Sequence, residues 1–118
     1  MLDEARMAWL LHRASGGAKS TTVEGIVHAA TRAGALNLGF EQVGLLAPGM
    51  AADIVAYEID GPAYWGQHDA LAAPLITGHA KVRHSLVAGK PVVRDGALPA
   101  IDMEKLRRDA AQAVAKLH

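Results

Sequence analysis

Large apolar side chains are scarce in this sequence, and that scarcity limits what it can fold into. Of the 60 apolar residues among 118, 24 are alanine, which leaves 36 larger ones to build an interior. A domain of this length buries roughly two-thirds of its unfolded surface, so an independent core is feasible but small. The length fits one domain or part of a larger one. It excludes a complete (β/α)8 barrel, which needs roughly 200 residues.

Twelve basic and twelve acidic residues give a formal net charge of zero. Phosphate contacts need clustered Lys and Arg. The basic residues here are scattered, with only Arg107 and Arg108 adjacent, so a nucleic-acid partner is not expected. The absence of Cys removes disulfides, thiolate metal sites and Cys nucleophiles. No apolar run approaches the ~20 residues of a membrane span. The start, Met1-Leu2-Asp3-Glu4-Ala5-Arg6, is acidic early and does not read as a signal peptide. The expectation is a cytoplasmic chain without a membrane partner.

Residues 2–14 read as a helix, with acids first (Asp3, Glu4) and cations last (His12, Arg13), and Ser15-Gly16-Gly17 stops it. Thr21-x-x-Glu24 fits a capping box opening a second helix. Val23, Ile26, Val27 and Ala30 give that helix one apolar stripe; Gly34 should end it, with one further turn over 35–38. Pro48-Gly49 predicts a type II turn and Asp53 to Glu58 a strand. Residues 63–80 lack periodicity and read as an ordered loop. Val82 to Val87 and Pro91 to Arg94 predict a hairpin around Ala88-Gly89, with Pro91 at a strand start or edge and Ile54, Val87 and Val93 buried. Asp102 caps a last helix over 103–117, whose stripe is Met103, Leu106, Ala110, Val114 and Leu117.

Six histidines (His12, His28, His68, His79, His84 and His118) invite a metal reading. None is spaced as His-x-His or His-Glu-x-x-His, the patterns that bring two imidazoles onto one face. His68-Asp69, beside Tyr64 and Trp65, is the most suggestive local pair, because an Asp can orient an imidazole for proton transfer. Adjacent side chains rarely point the same way, so Asp69 fixing its own loop is the competing reading. Tyr64 and Trp65 could stack on a planar ligand or pack down as anchors. No serine sits in G-x-S-x-G and no phosphate-binding loop is present.

The stretch Gly44-Leu45-Leu46-Ala47-Pro48-Gly49-Met50-Ala51-Ala52-Asp53-Ile54-Val55 resembles the G-x-L-x-P-G-x-x-A-D-[IL]-[VA] element of the amidohydrolase superfamily. The resemblance is to its cytosine/guanine/8-oxoguanine deaminase and chlorohydrolase branch. Ala29 to Ala35 is similar to the A-T-x-x-[GA]-A helix that precedes this element. Tyr64-Trp65-Gly66-Gln67-His68-Asp69 resembles an aromatic-Gly-x-His-Asp loop, and Val87 to Val93 the V-x-G-[KR]-x-V-V hairpin. Met1 to Arg6 resembles the M-L-x-E-x-R run after the barrel's last metal-site aspartate. Ala70 and Ala88 depart from the family, which more often has Pro after His-Asp and Asn or Asp in the turn.

The resemblance implies an α+β chain that is part of an amidohydrolase fold. Residues 1–43 would be the C-terminal helices of the barrel, 44–101 the C-terminal part of a small β-sandwich, and 102–118 a C-terminal helix. Family members hold zinc or iron with a His-x-His, further histidines and an aspartate closing the barrel, and the ion activates water. None of those motifs is present. The resemblance therefore implies no catalytic or metal-binding residue and no cofactor in this chain, and a parent that uses zinc or iron to hydrolyse carbon–nitrogen bonds other than peptide bonds. Deamination of a purine-like or other aminated heterocycle is the parent reaction it suggests. Tyr64, Trp65, His68 and Asp69 are the candidates for a substrate loop, or for residues one contact removed from substrate. The missing N-terminal barrel portion is the expected partner, supplied separately in one version of this reading. The alternative is a stand-alone, non-catalytic scaffold that self-associates as a homo-oligomer through exposed Leu10, Leu11, Ile26, Val27, Leu106 and Val114.

Overall fold

A computed structural model describes residues 1–78 and 80–117. The elements are α+β, helices first and last with a small antiparallel sheet between them, but a 3-10 turn and a short helix separate the first strand from the other two. Helix α1 (Leu2–Gly16) has Asp3 and Glu4 in its first turn and Arg13 in its last, complementing the helix dipole. The Gly17 N–H closes on the Arg13 carbonyl at 3.0 Å. Arg13 also lies over the Trp9 ring, 5.0 Å from its centroid.

Helix α2 (Val23–His28) is capped by Thr22, not Thr21: the Thr22 hydroxyl accepts from the Gly25 N–H at 3.1 Å. That frame leaves Glu24 one residue short of the reciprocal capping position. The helix then widens into a π segment (Ala29–Ala33) and continues as α3 (Gly34–Asn37). Gly34 does not end it; its backbone is helical, and a Cβ there would meet the Ala29 carbonyl at 3.1 Å. The widened turn presses that carbonyl against position 34, so a residue without a side chain suits the helix interior despite its poor propensity. The Thr31 hydroxyl donates to the Val27 carbonyl at 2.7 Å within the same turn.

The chain then doubles back. The Arg32 guanidinium donates to the carbonyls of Glu41 (2.8 Å) and Val43 (2.9 Å). Gly44, at φ +83°, passes so close to the helix that a Cβ would lie 2.8 Å from the Thr31 carbonyl oxygen. The Met50 N–H closes a turn on the Ala47 carbonyl at 3.2 Å around Pro48-Gly49.

Strands β1 (Ile54–Glu58), β2 (Lys81–Val87) and β3 (Lys90–Val93) form one sheet in the order β1-β2-β3, each pair antiparallel. The register pairs Ile54 with Leu86 and Val87 with Lys90. Ala88 (φ 49°) and Gly89 (φ 76°) both have positive φ, which matches the right-handed twist of the strands they join. The Asp53 carboxylate accepts from the Ala88 N–H at 2.6 Å, and the Gly89 N–H donates to the Ala52 carbonyl at 3.0 Å. Those two bonds hold a non-glycine residue in the left-handed region. Pro91 sits in edge strand β3, where its missing N–H costs no ladder bond. Val87 is 54% exposed rather than buried, because it stands at the hairpin end.

The segment 63–80 is more regular than its sequence suggests. A 3-10 turn (Pro62–Tyr64) opens it, and helix α4 (Ala73–Thr77) packs on α1. Asp69 shapes the turn that leads into α4, its carboxylate accepting from the N–H groups of Leu71 (2.9 Å) and Ala72 (3.3 Å). Helix α5 (Met103–Ala115) is capped by Asp102, which accepts from the Lys105 N–H at 2.9 Å, and none of its residues is buried.

The core is a small cluster of Ala5, Ile26 and Leu75, flanked by Ala8, Trp9, Val23, Val27 and Ala30. Ile26, anticipated as exposed, is buried here because α4 brings Leu75 onto the stripe; Leu10, Leu11, Leu106 and Val114 are exposed. The accessible surface is 8852 Å², against about 6,100 Å² for a compact monomer of this mass. The radius of gyration is 17.5 Å, where a compact domain would have about 13.5 Å.

Candidate functional site

The four sequence candidates fall on one short stretch but do not converge on a reacting centre. Tyr64 ends the 3-10 turn, and its hydroxyl bonds that of Thr77 at 3.2 Å. The Trp65 indole N–H donates to the Asp60 carbonyl at 3.1 Å, while the residue as a whole stays 76% exposed. Tyr64 therefore braces the loop against α4, and Trp65 presents a fixed aromatic face. His68 is exposed. Among the described residues no hydrogen bond joins it to Asp69, whose carboxylate is turned to the start of α4.

The metal reading has a geometric answer among the described residues: no three His, Asp or Glu side chains come together as a cation site. His79 and His118 lie outside those residues. The donors among the described residues thus do not fit the ion that the family resemblance implies, and no reaction step is derived through one. His84 belongs instead to a surface cluster with Arg83 and Asp95. Its Nδ1 accepts from the Asp95 N–H at 3.4 Å, and the Asp95 carboxylate lies 3.6 Å from His84 Nε2 and 3.9 Å from Arg83 Nε. The Gly96 N–H donates to the Arg83 carbonyl at 2.9 Å, which folds Asp95 back over β2.

Sequence reasoning missed an apolar groove of about 250 Å³ where α1, α2 and α4 meet β1. Ala5, Val27, Ala30, Tyr57, Leu71 and Pro74 line it. Burial against these side chains pushes the Tyr57 phenol above its ordinary value. The Thr31 hydroxyl on the groove wall is already committed to the Val27 carbonyl. Such a lining can bind apolar surface; it offers no general acid–base pair.

No family model matches the chain. Among curated proteins, it is 33% identical to an isoxanthopterin deaminase from an unknown prokaryotic organism, over 99% of this chain and 28% of that protein. It is 37% identical to the 8-oxoguanine deaminase of Pseudomonas aeruginosa, over 97% of this chain and 26% of the relative. Among solved structures, an amidohydrolase from a Sargasso Sea environmental sample matches with TM-score 0.83 and 35% identity, covering 99% of this chain and 27% of that one. An adenosine deaminase from Xanthomonas campestris, solved with bound zinc, matches with TM-score 0.85 and 29% identity, covering 98% and 27%. The chain spans about a quarter of the length of these relatives. By descent and by fold, the chain belongs to the amidohydrolase superfamily.

Proposed function

We propose that this chain is the C-terminal quarter of a metal-dependent amidohydrolase that acts on carbon–nitrogen bonds other than peptide bonds. The parent deaminates a purine-like or other aminated heterocycle. The observation that carries this reading is the near-complete alignment of the chain with about a quarter of two deaminases of fused nitrogen heterocycles. Residues 1–43 are the closing helices of the barrel, 44–101 the C-terminal part of the sandwich, and 102–118 a terminal helix. The motifs the segment carries are structural: Asp53 of the P-G-x-x-A-D element holds the hairpin turn, and Gly44 lets the chain cross the helix. The metal, zinc or iron, belongs to the missing N-terminal barrel portion, and the chain alone is inactive.

Tyr64, Trp65, His68 and Asp69 are the residues proposed to lie near substrate in the assembled enzyme. Tyr64 and Asp69 would position the loop, and the exposed Trp65 ring would be the face available for stacking. The test is a purified sample of the chain, assayed for ammonia release from 8-oxoguanine and isoxanthopterin and for metal content by mass spectrometry. The expected result is no turnover and less than stoichiometric metal. Turnover that tracks a tightly bound ion would overturn the proposal.

A further inference from the structure

The groove at the junction of α1, α2, α4 and β1 has no occupant within the described chain. We infer that it seats an apolar segment of the complementary three-quarters of an amidohydrolase chain. This rests on the reading of the chain as one quarter of such an enzyme.

Three observations carry it. The lining is aliphatic apart from Met1, Tyr57 and Thr31, and the Thr31 hydroxyl is already bonded internally, so an apolar occupant leaves that hydroxyl satisfied. The chain exposes about 2,700 Å² more than a compact monomer of its mass, which is the scale of an obligate interface and not of a transient one. Finally, the uncovered apolar side chains are spread over different elements. Leu10 and Leu11 lie on α1, Phe40 and Leu46 on the loop, and Val55 on β1. A second copy related by a two-fold axis covers one patch per protomer. A partner about three times as long, as the relatives supply, can reach several of these surfaces at once.

The test co-expresses the full chain with Pseudomonas aeruginosa 8-oxoguanine deaminase from which the aligned quarter has been deleted. Assembly is read by size-exclusion chromatography and by titration of the purified pieces. The wild-type chain should co-elute one to one with the large piece. Leu71→Glu and Ala70→Glu, both at exposed positions on the α4 side of the groove, should weaken pairing at least tenfold, with far-UV dichroism unchanged. Lys19→Glu, in the exposed turn after α1, should pair like wild type. Failure of the wild-type chain to pair overturns the one-quarter reading itself. Pairing that both groove variants retain overturns the groove while leaving that reading intact. A stable dimer of the chain alone that Leu71→Glu dissociates overturns the choice of occupant in favour of a second copy.

Discussion

Gly44 is the residue whose replacement the backbone tolerates least. Its φ of +83° excludes most side chains, and a Cβ would lie within 2.9 Å of the Thr31 and Arg32 backbone, which cannot yield as a flexible side chain would. Gly44→Ala should therefore cost about 2–3 kcal/mol, from left-handed strain and the backbone clash together, measured as a lowered urea midpoint. Tyr57 gives a prediction of opposite character. Its phenol is raised by burial, so the neutral form is favoured in the folded chain. Stability from this group is full below the ordinary value of 10.0 and is lost as pH rises through the higher folded value. Tyr57→Phe should flatten that alkaline decline, as followed by urea unfolding at several pH values from about 9 upwards. The sequence marked Gly44 and Asp53 as motif positions, yet their roles were not legible there. Each depends on a partner far along the chain: Thr31 for the glycine, Ala88 for the aspartate.

Helix α5 tests how much an element owes to its own caps. It has no buried residue, and an isolated helix of this length is marginal in water. Asp102→Ala, which removes the bond to the Lys105 N–H, should cost about 1 kcal/mol of local helix stability. Far-UV dichroism at 222 nm should fall, while the unfolding of the Ala5–Ile26–Leu75 cluster stays where it was. The sequence located this helix, the hairpin and α1 because each carries its own punctuation. It placed the second cap one residue early because Thr21 and Thr22 are chemically alike, and only the turn geometry selects between them. It missed α4 because five residues with a proline hold no periodicity; that helix follows a turn that the Asp69 carboxylate closes on the Leu71 and Ala72 N–H groups, and its Leu75 is buried in the cluster with Ala5 and Ile26. The π segment left no signal, since a wider turn reads like an ordinary one in alanine-rich sequence.

On the scale of the whole molecule, the alanine count and the exposed area describe the same property. With five buried apolar residues identified and none of the larger ones fully enclosed, unfolding exposes less new surface than usual for this length. The urea dependence of stability should be shallower than for a compact protein of similar size. The native chain should also bind the dye ANS strongly, and pairing with the complementary piece should reduce that fluorescence. The candidate site divides along the same line. The aromatic-His-Asp loop was legible because its residues are contiguous. The groove was not, because mostly apolar residues from four separate segments build it, and each one alone looks like ordinary packing. No helix among the described residues is long and apolar enough to cross a membrane.

The stripe of Met103, Leu106 and Val114 along α5 is 48–56% exposed. Within a cell, a solvent-facing apolar helix of this kind is what chaperones and proteases engage, and marginal folds are cleared at rates that set their abundance. The intracellular half-life of this chain should therefore lengthen when its apolar faces are covered, making turnover a record of how much of that stripe stays open to water.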